Sequence, residues 1–190
     1  MSAVQGMTID EPGTGRLEVW PIPVVEEGLV ALLSTLFTDH WREITFGPLI
    51  QGAAYEISPL TPPERLSTHD GYLTVEWPGM HFHICLGKTV GDTNAPTPDT
   101  LASHRRTHDA HFFRRINRDG CPDTWGIRLF NGAGEQQMTI LLPNPFMATA
   151  HKFADPPDWS KLDLWDSLRH EILGLPSDPA DRSGVRMIYP

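Results

Sequence analysis

The strictest alternation of apolar and polar residues runs through Tyr72-Leu73-Thr74-Val75-Glu76-Trp77 and resumes at His81-Phe82-His83-Ile84-Cys85-Leu86, either side of Pro78-Gly79. Strands send successive side chains to opposite faces, so this pattern predicts a two-stranded hairpin turning at Pro78-Gly79. With those two residues in the turn, Trp77 pairs with Met80, Glu76 with His81, Thr74 with His83 and Tyr72 with Cys85. Leu73 and Val75 then oppose Ile84 and Phe82 on the other face. One register sorts every apolar side chain from every polar one, as a half-buried sheet requires.

Other segments follow the same logic. Leu29, Leu32, Leu33, Leu36 and Phe37 fall at helical spacing and predict a helix over about Val25–Glu43. Leu17–Ile22 and Leu49–Ser58 read as strands. Thr97, Pro98 and Asp99 read as a helix start, which predicts a second helix to about Asn117 carrying His104, His108 and His111 at i, i+4, i+7 spacing. A second hairpin is expected over Thr124–Phe130 and Glu135–Leu142 around Asn131-Gly132-Ala133-Gly134, with Trp125, Ile127 and Leu129 facing a core. The last helix spans Asp158–Leu173, capped by Asp158, stopped by Gly174, and striped by Leu162, Trp165, Leu168 and Ile172.

This order predicts an α+β fold. Its sheet is antiparallel or mixed, built of hairpins with helices packed on one face, and its first elements follow in part the βαββαβ order of ferredoxin-like folds. Residues 1–16, with four of the chain's prolines and glycines and few apolar residues, are expected to be a flexible arm. Residues 17–176 form a single α+β domain, and 177–190 a C-terminal tail.

The 190 residues suffice for one domain with a proper core. A net charge of −9 argues against nucleic acid, whose phosphates are bound by Lys and Arg. No apolar run reaches bilayer length and no signal-peptide pattern opens the chain, so neither a membrane partner nor export is expected. Two cysteines make no disulfide framework, and a reduced, cytoplasmic setting is the expectation.

The polar face of the first hairpin holds the candidate chemistry. His81 and His83 supply two imidazole donors, Glu76 lies opposite His81 as a third, and Cys85 competes for that place. Two histidines with a carboxylate suit Fe(II) or Zn(II), whereas a cysteine favours zinc. Glu76 is the alternative general base, His83 the catalytic imidazole, and Arg128 the group that orients an anionic substrate. Tyr72, Glu135 and Gln137 are expected to hydrogen-bond it. A plain solvated sheet face explains the same polar residues about equally well, although such faces favour Lys, Thr and Ser over histidine pairs. The arginines of the second helix read chiefly as a solvated basic face. No Gly-rich phosphate loop precedes a helix.

The run His81-Phe82-His83-Ile84-Cys85 resembles the histidine-triad motif of nucleotide hydrolases, with Cys85 where that motif has its third histidine. His83-Ile84-Cys85 also resembles the His-x-Thr motif of two-histidine phosphoesterases, of which no second copy occurs. Each resemblance covers only these few residues. The expected function is a metal-dependent enzyme acting on a small anionic molecule at the sheet's polar face. The alternative is a non-catalytic ligand-binding or sensor protein that dimerises through that face.

Overall fold

The computed structural model describes residues 6–50, 52–149 and 152–187. In chain order the main elements are strands β1 (Met7–Glu11) and β2 (Gly15–Pro21), helix α1 (Glu26–Thr38), and strands β3 (Thr45–Gly47), β4 (Arg65–His69), β5 (Tyr72–Trp77) and β6 (Met80–Cys85). Helix α2 (Asp99–Arg105), strands β7 (Thr107–Ile116), β8 (Pro122–Asn131) and β9 (Gln136–Leu141), and helix α3 (Asp163–Leu173) complete it. The fold is α+β, with several antiparallel sheets. Among the described residues no helix is long and apolar enough to cross a membrane.

The chain divides into two compact units, with one boundary between β2 and α1 and the others inside β7, β8 and β9. The first comprises Met1–Ile22, His111–Ile127 and Leu141–Pro190, the second Pro23–Ala110 and Arg128–Ile140. This division does not follow the expected boundaries at 16/17 and 176/177.

In the first unit β1 pairs antiparallel with β2, Ile9 opposite Leu17, and β2 pairs with β7, Val19 opposite Phe113. The expected arm is therefore partly a strand, because the Pro12–Gly15 cluster is a turn that folds Met7–Glu11 back onto β2; residues 1–5 lie outside the described residues. The last helix begins as the 3-10 turn Trp159–Leu162, with Asp158 accepting from Ser160 N, and continues as α3. It ends at Gly174, whose φ of +67 is the left-handed cap that glycine adopts without strain. Leu162, Trp165 and Leu168 are buried, as their helical spacing predicted. Trp165 meets Trp20 and Phe112 edge-on at 5.9 and 5.7 Å.

The segment expected as a tail is also part of this unit. Pro179–Arg182 forms a 3-10 turn that places Asp181 in the interior, at 0% exposure. Residues 188–190 of that segment lie outside the described residues. A buried carboxylate needs compensation, and Asp181 has it. Arg114 Nη1, Trp125 Nε1 and Trp165 Nε1 all donate to it, at 2.8, 2.7 and 2.9 Å. Arg114 also reaches Glu18 and Asp178, and Arg115 forms a bidentate pair with buried Asp123. These two arginines, expected on a solvated basic face, are ion-paired interior groups.

That difference traces to the second helix. Only Asp99–Arg105 is helical; Arg106 takes extended angles, and Thr107–Ile116 is β7. The helix starts one residue later than predicted, with Pro98 rather than Thr97 at its cap and no side-chain capping bond. It is cut short because Thr107, Phe112, Phe113 and Ile116 favour strand and sheet pairing overrides the polar helical pattern. The predicted strand over Leu49–Ser58 is likewise two short pieces, Leu49–Ile50 and Ala53–Ala54, folded against each other.

In the second unit β4, β5 and β6 form an antiparallel sheet in that order. The β5–β6 register is the predicted one at all six pairs: Tyr72–Cys85, Leu73–Ile84, Thr74–His83, Val75–Phe82, Glu76–His81 and Trp77–Met80. Leu73, Val75, Trp77 and Ile84 are buried. Phe37 of α1 packs against Trp77 and Phe82, with ring centroids 5.9 and 5.3 Å apart. Phe46 of β3 joins this aromatic cluster.

Candidate functional site

The second unit contains a cleft of about 470 Å³ beside β6. Phe46, Ile57, Phe82 and Met138 give it an apolar lining, while Tyr72, His83, Cys85, His104, Arg105 and Gln137 bring polar groups. Four residues expected at the site, Tyr72, His83, Cys85 and Gln137, are thus gathered in one recess.

Each imidazole in the cleft has a fixed partner. His83 Nδ1 and Thr74 Oγ1 form a 2.7 Å hydrogen bond whose donor depends on the ring tautomer; it follows from the pairing of β5 with β6. His104, at the end of α2, lies 3.2 Å from Glu135 Oε2 through Nε2. The loop between β8 and β9 sets this second pair: Gly132 N donates to His104 O at 3.0 Å, and Asn131 Nδ2 donates to Glu135 Oε2 at 2.8 Å. Gly132 allows that approach, since a Cβ there would stand 1.9 Å from Ser103 O. Hydrogen bonds from Asn131 and then His104 hold the Glu135 carboxyl below its usual pKa.

Gln137 is fully committed within the protein. Its Oε1 accepts from Thr107 Oγ1 at 2.8 Å, and its Nε2 donates to Arg105 O and Cys85 O at 2.9 and 3.3 Å. Gln137 and Glu135 therefore brace the cleft from within. Burial, above all, pushes both the Tyr72 hydroxyl and the Cys85 thiol up in pKa. Cys85 is a free, buried cysteine whose thiol donates to Gly87 O at 3.4 Å. A neutral buried thiol is a poor metal ligand, because the thiolate is the binding form.

The remaining expected residues lie elsewhere. His81 shares the His83 face, with ring centroids 5.0 Å apart, and Glu76 is its cross-strand neighbour, but neither lines the cleft. Arg128 is buried on β8 and does not line it either. Among the described residues no three His, Cys, Asp or Glu side chains converge as a metal-holding group. The histidines placed on one helical side are dispersed, because two of them are on a strand. His104 lines the cleft, His108 lines a separate recess of about 410 Å³ with Glu26, Lys88 and Arg106, and His111 is buried in the other unit. The sequence left open whether His104 belonged with His83; it read Arg105 among arginines that could receive a phosphate or carboxylate but chiefly form a solvated basic face, and Asn131 only as a turn residue.

A family model described as a family of unknown function (DUF7676) matches residues 6–174. No curated protein and no solved structure matches the chain.

Proposed function

The chain belongs to the DUF7676 family, and from the geometry of its second unit we propose that it binds a small anionic molecule in the β6 cleft and moves protons to and from it through His83 and His104. One observation carries this reading: two imidazoles line one recess, each tethered through a single nitrogen, His83 to Thr74 and His104 to Glu135. A histidine oriented in this way keeps its second nitrogen for a ligand, which is the arrangement general acid–base chemistry uses. Arg105 supplies the positive charge that attracts an anion, and the apolar lining excludes water from part of the recess. Glu135 and Gln137 act as positioning groups.

The test is an NMR titration of the full chain with inorganic phosphate and with benzoate, following the imidazole ring protons. Saturable shifts at His83 and His104 that vanish in Arg105→Ala are expected. Ring signals unmoved by either anion would overturn the reading.

A metal-dependent form of this chemistry has its own supporting observation, the shared face of His81 and His83 with Glu76 opposite His81. On that reading Zn(II) or Fe(II) binds near one ion per chain in protein purified without a histidine tag. Binding weakens as pH falls, because a protonated imidazole has no donor pair for a metal. Undetectable metal after reconstitution with Zn(II), Fe(II) and Mn(II) removes this form and leaves the acid–base one. A homodimer through the sheet face, with no chemistry, is the rival class. A ferredoxin-like order and a layer of helices on one sheet face are also our proposals; the packing of Phe37 on Trp77 and Phe82 supports the second.

A further inference from the structure

We propose that the outer edge of β6 receives an extended, acidic peptide segment by strand addition, and that such a segment is the ligand class of the cleft. This rests on the reading of the cleft as a ligand site.

Register decides which backbone groups of β6 face outward. β6 ends its three-stranded sheet, so one side of it carries no ladder among the described residues. Leu86 N donates to Gly71 O at 2.8 Å, which fixes the hydrogen-bonded phase of the β5–β6 pair. Antiparallel strands alternate bonded and non-bonded pairs, so Leu73–Ile84 and Val75–Phe82 exchange the ladder bonds. The N–H and C=O groups of His81, His83 and Cys85 then point away from β5. Cys85 bears this out, since its C=O accepts from Thr107 Oγ1 and Gln137 Nε2, neither of them on β5. The lining agrees as well. Phe82 and Ile84 lie on one face of β6 and His83 and Cys85 on the other, and all four border the same cleft. Residues of opposite faces share a recess only where it runs along the strand edge.

The chemistry of such an edge selects its occupant. Outward N–H and C=O groups at strand spacing are matched by another extended backbone. Natural edges are usually blunted by lysine, proline or a bulge, and Met80–Cys85 has none of these, its register running without a shift. A guest strand would set alternate side chains against Phe46, Ile57, Phe82 and Met138, and the others toward His83, His104 and Arg105. Among the described residues Arg105 enters no ion pair, and an acidic guest side chain complements it.

The test selects a displayed library of random octapeptides on the full chain and measures the enriched sequences as synthetic peptides by fluorescence anisotropy. Expected are peptides with an acidic residue flanked by apolar ones. N-methylation of the amides facing β6 should weaken them about tenfold or more, and Arg105→Ala should do likewise. Amide exchange at His81 and His83 should slow on binding. His83→Pro, which removes an outward N–H from this edge, should lose the peptide affinity. No enrichment, or N-methylated peptides binding as well as their parents, would overturn strand addition. So would a second copy of the chain occupying β6, seen as concentration-dependent dimerisation that peptides do not reverse. Ring-proton shifts with phosphate or benzoate that persist alongside a failed peptide test leave the cleft reading standing alone.

Discussion

Asp181 accepts a 2.9 Å hydrogen bond from the indole of Trp165, joining the chain's last turn to its last helix in the interior of the first unit. Trp125 Nε1 and Arg114 Nη1 converge on the other carboxylate oxygen, and the Arg169 guanidinium stands 3.6 Å from the first. Arg169 in turn lies over the rings of Trp20 and Trp165, at 4.4 and 4.8 Å. One carboxylate therefore meets two buried arginines, with Glu18 and Asp178 sharing Arg114, and satisfies two buried indoles.

Removing that carboxylate takes the ion pair from buried Arg169 and leaves two buried indoles without their acceptor, while Arg114 keeps Glu18 and Asp178. Asp181→Ala should destabilise the protein by about 3–5 kcal/mol in denaturant melts. Trp165→Ala should cost about as much, roughly 3–5 kcal/mol, through lost packing. Because the two side chains touch, the double variant should fall short of the sum of the singles by about 0.5–3 kcal/mol. Strict additivity would show that the hydrogen bond contributes nothing.

Acid should weaken the same unit. Burial pushes the Asp178 carboxyl up, but the backbone N–H of Ala180 and the Arg114 guanidinium outweigh it and hold the pKa below the usual value. A carboxylate depressed in the folded state adds stability that is fully present above its unfolded pKa of about 4 and is lost as pH falls through the folded value. Urea midpoints should drop below about pH 4, and Asp178→Asn should flatten that drop. An unchanged pH profile in the variant would count against the ion network.

The loop carrying Glu135 depends on one close approach. Gly132→Ala would drive a Cβ to 1.9 Å from the Ser103 carbonyl, so the turn must lift away from α2. Loss of the His104–Glu135 contact should follow, visible by NMR as a rise in the pKa of the Glu135 carboxyl, which that contact helps to lower. An unaltered Glu135 titration would show that the turn does not position the pair.

Cysteine labelling reads the cleft directly. Cys85 is buried with its thiol raised in pKa, while Cys121 is partly exposed. Iodoacetamide should modify Cys121 first in the native protein and both at similar rates in urea. Faster labelling of Cys85 would indicate a thiolate and revive it as a metal ligand or nucleophile.

The pattern along the chain determined the parts whose neighbours are near in sequence. The β5–β6 register was legible at every pair because a one-residue slip would have put Leu73, Val75, Phe82 and Ile84 in water. The last helix was legible for a similar reason: a capping aspartate, an apolar stripe and a stop glycine all act within a few residues. Tertiary structure alone decided whatever depends on partners far along the chain. It turned His111–Ile116 from helix to strand, since pairing with β2 overrides the polar helical pattern. It drew Asp178 and Asp181 inward, because Arg114, Trp125 and Trp165 offer a buried carboxylate what water otherwise would. It also brought His104 to Glu135 across 31 residues, and no local spacing encodes a contact made by the docking of a turn on a helix end.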